Sequence, residues 1–447
     1  MYNIIYLGLG AGIFLALFRR GDAERLLALM LLAILVPREF NARPHGLSFC
    51  LTDAALLAFL WPWLTRPFSK ISWNRETGFL LAGLAFIGAW TLLSLRLPGP
   101  INRHMFIKDA YAYVAFFLVL LALANSTLTW SRNLLFACLA CLYLLGITAV
   151  AIDIVPPLRD LYIAEHIKTH ALAREIGYFD PGNGVGPFTD VPGQLRISDF
   201  VGGAPLADFL VMTLPVFLFL GVALFGTEWR LVAALSFLFF ASLYLYSRSL
   251  TGAIFVGVLL CLRYPEKRKL AFKTLVSFTA LFFCTPVGWG LLRRFHLLEL
   301  GGMEVTNKNM VFYNIRISLF TEAIDYIKQS PWLGMGLGHT RQFSFGLRSI
   351  MSDGVDSLPL TLLLKFGVLG GAVFGMLFGV LGLWSYRVYR RPAEAVDAAK
   401  TSLPALLAFL FFSLFSYPFN NISLTVFVAC FLGLSYNGIR AGVRGKE

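Results

Sequence analysis

Five residues in this sequence combine charge, spacing and setting in a way that could do chemistry. Arg196 stands in Gln194-Leu195-Arg196-Ile197-Ser198-Asp199, at the mouth of an apolar run. Arg248 sits in the tight polar turn Ser247-Arg248-Ser249 between two such runs. Arg316 lies beside a helical stripe of Val311, Ile315, Leu319, Ala323 and Ile327. Asp356 precedes the apolar run that opens at Leu358, and His339 follows the run Pro331-Trp332-Leu333-Gly334-Met335-Gly336-Leu337-Gly338. Arginine is permanently charged and offers a planar fork of donors, which suits phosphate or pyrophosphate. A carboxylate or imidazole at the edge of an apolar run could take a proton as a general base.

Each residue also has a plainer reading. Arg196 can snorkel to lipid headgroups, Arg248 can belong to a simple turn, and Arg316 can face headgroups from an amphipathic helix. Asp356 and Ser357 are good helix caps, and Pro359 fits a first helical turn. Gly334, Gly336 and Gly338 have the spacing of a phosphate loop, but no strand precedes them and no Lys-Ser/Thr follows. They read instead as a close-approach fold in the chain. His166 and His170 are spaced i,i+4 without a third ligand, so no metal site is expected.

The elements that must position these groups are membrane spans. The sequence is 57% hydrophobic and 14% charged, against about 25% charged in soluble domains, and its mean hydropathy is +0.71. The apolar runs are continuous, which excludes the alternating pattern of a β-barrel, and approach the ~20 residues needed to cross a bilayer. The expected fold is an all-α polytopic membrane protein with about 12–13 transmembrane helices, forming a single membrane domain over residues 1–447. The first run, 2–18, lacks a basic leader and is followed by Arg19, Arg20 and Arg25, so it reads as a retained span. The second, 26–36, is short enough to be tilted or partly re-entrant.

The formal net charge of +13 needs no nucleic acid. Its lysines and arginines collect at 66–75, 263–273, 387–391 and 440–446, the pattern of cytoplasmic loops. Alternation then places residues 156–199 as a first outer loop and 293–357 as a large outer loop containing a short amphipathic helix. With thirteen spans the amino terminus is outside. Cys50, Cys138, Cys141, Cys261, Cys284 and Cys430 all lie in or beside apolar runs and suit packing, not a disulfide framework. Few ionisable residues fall within spans: Lys108 and Asp109 at a span start, and Lys365 inside a run. Polar groups gathered in outer loops favour chemistry at the interface over passage through the bilayer.

Taken in order, several segments resemble the bacterial O-antigen ligase and O-antigen polymerase superfamily of integral membrane glycosyltransferases. They are Arg196 with the Gly202-Gly203-Ala204-Pro205 span start, Ser247-Arg248-Ser249, and Arg316 ahead of the 331–338 run. Asp356-Ser357-Leu358-Pro359-Leu360, leading to Lys365-Phe366-Gly367-Val368-Leu369-Gly370, completes a resemblance that covers 196–371. It implies a bacterial inner-membrane enzyme that takes a glycan from undecaprenyl pyrophosphate at the periplasmic face and transfers it to an acceptor hydroxyl. Arg196 and Arg316 would bind the pyrophosphate, with Arg248 as a third contact. No nucleotide sugar, cofactor or metal is implied. Ligases of this family usually carry His-Asn where this chain has Asp356-Ser357. Aspartate, with a reference pKa of about 4, is a weaker base than histidine unless burial raises it, and His339 could substitute. The departure makes polymerisation of repeat units the expected function. Ligation of the glycan to lipid A-core or protein is the alternative, and a lipid-linked glycan flippase or transporter the third. Expected partners are the lipid-linked donor, a glycan or lipid A-core acceptor, membrane lipids, a chain-length regulator and a flippase.

Overall fold

The computed structural model describes residues 2–35, 41–42, 49–65, 75–169, 203–244, 247–294, 307–345, 348–352, 354–390, 397–417, 419 and 422–444. Its helices are α1 Tyr2–Phe18, α2 Asp22–Leu35, α3 Leu51–Leu64, α4 Arg75–Ser94, α5 Arg103–Ala124, α6 Arg132–Ile154 and α7 Pro156–Thr169. They continue with α8 Gly203–Leu220, α9 Val222–Phe225, α10 Glu228–Leu243, α11 Arg248–Cys261, α12 Pro265–Cys284, α13 Pro286–Arg294 and α14 Asn307–Gln329. The last are α15 Leu358–Arg390, α16 Asp397–Lys400, α17 Ser402–Ser413 and α18 Ile422–Arg444. Two small antiparallel ladders, β1 Asn41–Ala42 with β2 Phe49–Cys50 and β3 Arg341–Phe345 with β4 Arg348–Ser352, complete the described structure.

This is an all-α polytopic membrane protein, as the apolar runs require. Among the described residues, five helical stretches are long and apolar enough to cross a membrane: 77–94, 103–124, 132–152, 358–390 and 422–440. Helix α18 is buried along nearly its whole apolar length, whereas α15 is buried at its start, from Leu358 to Gly367, and more exposed beyond it. Local chemistry sets the boundaries. Asn102 caps α5, its Oδ1 accepting from the amides of His104 (3.1 Å) and Met105 (3.2 Å). Ser131, Thr227 and Ser247 cap α6, α10 and α11 in the same way. Arg25 turns back from α2 to donate to the carbonyls of Leu17 (3.0 Å) and Phe18 (2.6 Å), satisfying the end of α1.

The described parts of the basic segments at 263–273, 387–390 and 440–444 gather at one end of the bundle, and 66–74 lie outside the described residues. Tyr264 donates to the Lys400 carbonyl at 3.1 Å and packs edge-on against Tyr389, while Lys400 pairs with Glu266 and Lys267 with Asp397. At the same end Asn437 donates to the Leu123 and Leu128 carbonyls and Arg440 to that of Ala124 (3.1 Å), capping the end of α5. Cys138, Cys141, Cys261 and Cys430 are buried and outside any disulfide, in keeping with packing roles, whereas Cys284 is exposed.

Two expectations are revised. The large loop holds more than a short helix: α14 has 23 residues and is followed by the β3–β4 hairpin. The apolar residues 272–292, which the sequence alone reads as one span, are split instead, because Pro286 starts a new helix after Cys284. In the first outer loop α7 occupies the beginning, and 170–199 lie outside the described residues.

Candidate functional site

At the end of the bundle opposite the basic segments, the glycine run is inserted into a break in α15. Gly367 interrupts that helix with φ 62° and ψ −164°. A continuous helix would bond the amides of Val368 and Leu369 to the carbonyls of Leu364 and Lys365. The break orphans all four groups, and the run 331–336 takes each of them. Val368 N donates to Pro331 O (2.8 Å) and Leu369 N to Trp332 O (3.4 Å). In return Met335 N donates to Leu364 O (2.7 Å) and Gly336 N to Lys365 O (3.0 Å). Trp90 Nε1 adds a bond to the Lys365 carbonyl at 3.3 Å. These four backbone groups are thus satisfied in the apolar interior, where leaving one unsatisfied would cost on the order of several kcal/mol.

The glycines make this approach possible. Gly334, Gly336 and Gly338 have φ of 63°, 93° and 67°, the left-handed region that L side chains avoid. A Cβ on Gly334 would stand 2.6 Å from Gly367 N and 2.7 Å from Leu364 O. Their spacing serves backbone contact with a helix, not a nucleotide.

The run then threads between the end of α4 and the start of α5. Leu337 N donates to Ser94 Oγ (2.9 Å), Asn102 N to Gly338 O (2.9 Å) and Thr340 N to Pro100 O (3.3 Å). His339 is fully buried here. Its Nδ1 lies 3.3 Å from Leu337 O and its Nε2 3.2 Å from Leu97 O. The structure thus gives His339 a buried place in the packing of the run.

Beneath the break lies an ion pair that the site reading of the sequence did not single out. Lys365 Nζ donates to Asp109 Oδ2 at 2.6 Å, and both side chains have 0% exposure. The ammonium also faces the Tyr417 ring at 5.2 Å, and Tyr417 shares a 2.8 Å hydroxyl contact with Tyr113. The signal available in the sequence was two opposite charges in apolar segments, a pattern that in membranes calls for a partner.

An outer layer covers this end. Ala323 of α14, Met335 of the run, Phe343 of β3, Val355 and Leu364 form a second, smaller core, against which Leu319, Phe320 and Ile327 pack. Leu319, Ala323 and Ile327 of the helical stripe therefore face the hairpin and the run, and the side chains of Val311 and Ile315 lie outside the described residues. Arg316 stands on α14 one turn before Phe320 and two before Ala323, and its side chain lies outside the described residues. Tyr326 fixes the hairpin, donating from its hydroxyl to Gln342 O at 2.6 Å.

Asp356 lies where this layer meets the start of α15. The helix start is organised without it. Thr361 Oγ1 accepts from Val355 N (3.0 Å) and donates to Val355 O (2.8 Å), and Leu358 N donates to Ser416 O (3.1 Å). Among the described residues the Asp356 carboxylate takes no hydrogen bond, and it is exposed while its neighbours Val355 and Ser357 are buried. A capping aspartate would accept from the second or third helical amide; Asp356 does not. Pro359 does occupy the first turn, as its fixed φ favours. Arg248 takes the first position of α11, after the capping Ser247, whose Oγ accepts from Leu250 N at 3.3 Å. Arg196 lies outside the described residues, as does His170. Among the described residues no cluster of three His, Cys, Asp or Glu side chains could hold a metal. No family model and no curated protein sequence matches this chain.

Proposed function

We propose that the chain is a membrane glycosyltransferase that polymerises undecaprenyl-pyrophosphate-linked oligosaccharide repeat units into surface polysaccharide at the periplasmic face of the bacterial inner membrane. The observation that carries this reading is the Asp356 carboxylate: exposed, unused by its own helix and held where a broken membrane helix meets an arginine-bearing outer layer. In the reaction, the acceptor hydroxyl oxygen bonds to the anomeric carbon of the donor sugar as the bond from that carbon to the pyrophosphate oxygen breaks. Asp356 takes the hydroxyl proton. Undecaprenyl pyrophosphate leaves with the bonding pair, and Arg196 and Arg316, with Arg248 as a third contact, oppose its growing charge. His339 supports the run instead of acting as the base. A ligase would use the same donor chemistry and differ in its acceptor, lipid A-core or protein; Asp356-Ser357 in place of His-Asn favours the polymerase.

One observation favours a second reading, transport of a lipid-linked glycan. Broken helices and intramembrane ion pairs mark substrate paths in transporters. Here, however, the amides and carbonyls freed by the break are taken by the glycine run, and Lys365 and Asp109 are fully buried. Asp109 Oδ2 is engaged by Lys365 Nζ and Gly338 N, while Oδ1 is buried without a hydrogen-bond donor among the described residues; full burial of both side chains favours a structural role over a cargo path.

Arg196→Ala and Arg316→Ala are each expected to cut glycan elongation at least about tenfold, the worth of one charge-assisted contact, with unchanged protein in the membrane. Normal long chains from either strain would remove the pyrophosphate role. Asp356→Asn separates base from cap. Asparagine caps as well as aspartate, so a capping role leaves activity intact, whereas loss of a general base costs about 100-fold or more. The products of a deletion strain distinguish the activities: single repeat units on the acceptor identify a polymerase, and long chains retained on the lipid carrier a ligase.

A further inference from the structure

We infer that the basic end of the bundle carries a binding site for an anionic glycerophospholipid, separate from the outer site. A cavity of 360 Å³ opens there between α4, α5, α15 and α18. Its walls are apolar: Phe79, Leu120, Leu377 and Val380 line it, and Trp384 and Tyr436 close one end as a stacked pair with centroids 5.5 Å apart. A crevice of this kind does not hold water well. In a bilayer it takes hydrocarbon.

The rim supplies the selectivity. Ala124 also lines the crevice, and its carbonyl accepts from Arg440 Nη1 at 3.1 Å. The Arg440 guanidinium therefore stands at the opening, with donors to spare beyond that one bond. Arg387 is exposed one turn beyond Trp384 on α15, on the same face. Among the described residues neither arginine has a carboxylate partner, although acids are close by at this end for Lys267 and Lys400. An apolar crevice with uncompensated arginines at its mouth matches one acyl chain beneath one negatively charged headgroup. A zwitterionic lipid would fill the crevice but not answer the charge. Clustered basic residues flanking membrane helices draw anionic lipid by about 1 kcal/mol each, or about fivefold per residue.

Trp384 reports on the site directly. The full-length protein is reconstituted in phosphatidylcholine discs containing increasing fractions of phosphatidylglycerol or phosphatidylcholine with brominated chains. Trp384 quenching is taken as the difference from Trp384→Phe. With two arginines at the mouth, half-quenching is expected at about 5- to 25-fold lower mole fraction of brominated phosphatidylglycerol than of brominated phosphatidylcholine. Arg387→Gln should narrow that preference, and Val380→Phe, at a lipid-facing position of the wall, should reduce quenching by both lipids. Equal quenching by the two lipids in the parent protein overturns the proposal. So does recovery of Trp384 fluorescence on adding stoichiometric undecaprenyl pyrophosphate, since the crevice would then hold the tail of the donor. The parent-protein comparison needs only Trp384→Phe beside it, and so stands even if Arg387→Gln or Val380→Phe fails to fold.

Discussion

Lys365→Met is expected to destabilise the protein by about 3–5 kcal/mol, the usual cost of leaving one member of a buried ion pair unpaired. Asp109 and Lys365 are both at 0% exposure and 2.6 Å apart, so neither water nor headgroups can replace the lost partner. The loss should centre on the break in α15, because Asp109 Oδ2 also accepts, at 3.4 Å, from Gly338 N of the inserted run. The double variant Lys365→Met with Asp109→Leu should return close to parental stability, since apolar replacement of both members removes the desolvation cost along with the attraction. Denaturant unfolding in detergent checks both. A single variant within about 1 kcal/mol of the parent would mean that the pair is wet in the membrane. The double variant also tests function. If the pair only holds the run in place, elongation recovers with stability; if Lys365 or Asp109 takes part in chemistry or transport, it does not.

Gly367→Ala is expected to be comparably damaging, for a different reason. The residue has φ 62°, where a Cβ costs about 1–2 kcal/mol. That Cβ would also stand 2.6 Å from Gly334 N, and overpacking adds about 1–3 kcal/mol. The neighbouring backbone cannot yield without giving up the exchanged bonds between 331–336 and the helix break. Gly334→Ala meets the same obstacle from the other side. Gly375→Ala is the internal control. It lies on the same helix with nothing within 4 Å of its would-be Cβ, and alanine should raise stability there by a few tenths to about 1 kcal/mol. Thermal unfolding of the three variants in one detergent decides the matter. If Gly367→Ala behaves like Gly375→Ala, the break is not a fixed feature.

The membrane class, the helices and the gathering of basic segments at one end could be read from the sequence. Each depends on local quantities: the length of an apolar run, a capping side chain such as Asn102 or Ser131, a lysine or arginine near a helix end. The special status of residues 331–338 and 356–370 was equally visible, since glycine spacing and an acid before an apolar run stand out in any chain.

What those residues do to one another was decided only by the tertiary structure. The hairpin β3–β4 was overlooked although Phe343-Ser344-Phe345 alternates, because a short strand pair is stable only against a partner, here Ala323 and Met335. The break at Gly367 could not be inferred from a glycine alone. Gly375 and Gly379 stand in the same helix without breaking it, and the difference is the run that arrives from 30 residues upstream to take the freed bonds, a separation of about 30 residues in sequence that local reasoning does not bridge. The same holds for Lys365. Its type fixed the need for a partner, but Asp109, on another helix and far away in sequence, became that partner only once α5 and α15 were packed. For Asp356 the sequence left a cap and a base equally open. The pairing of Thr361 with Val355 and of Leu358 with Ser416 satisfies the helix start by other means, and so leaves the carboxylate to the surface.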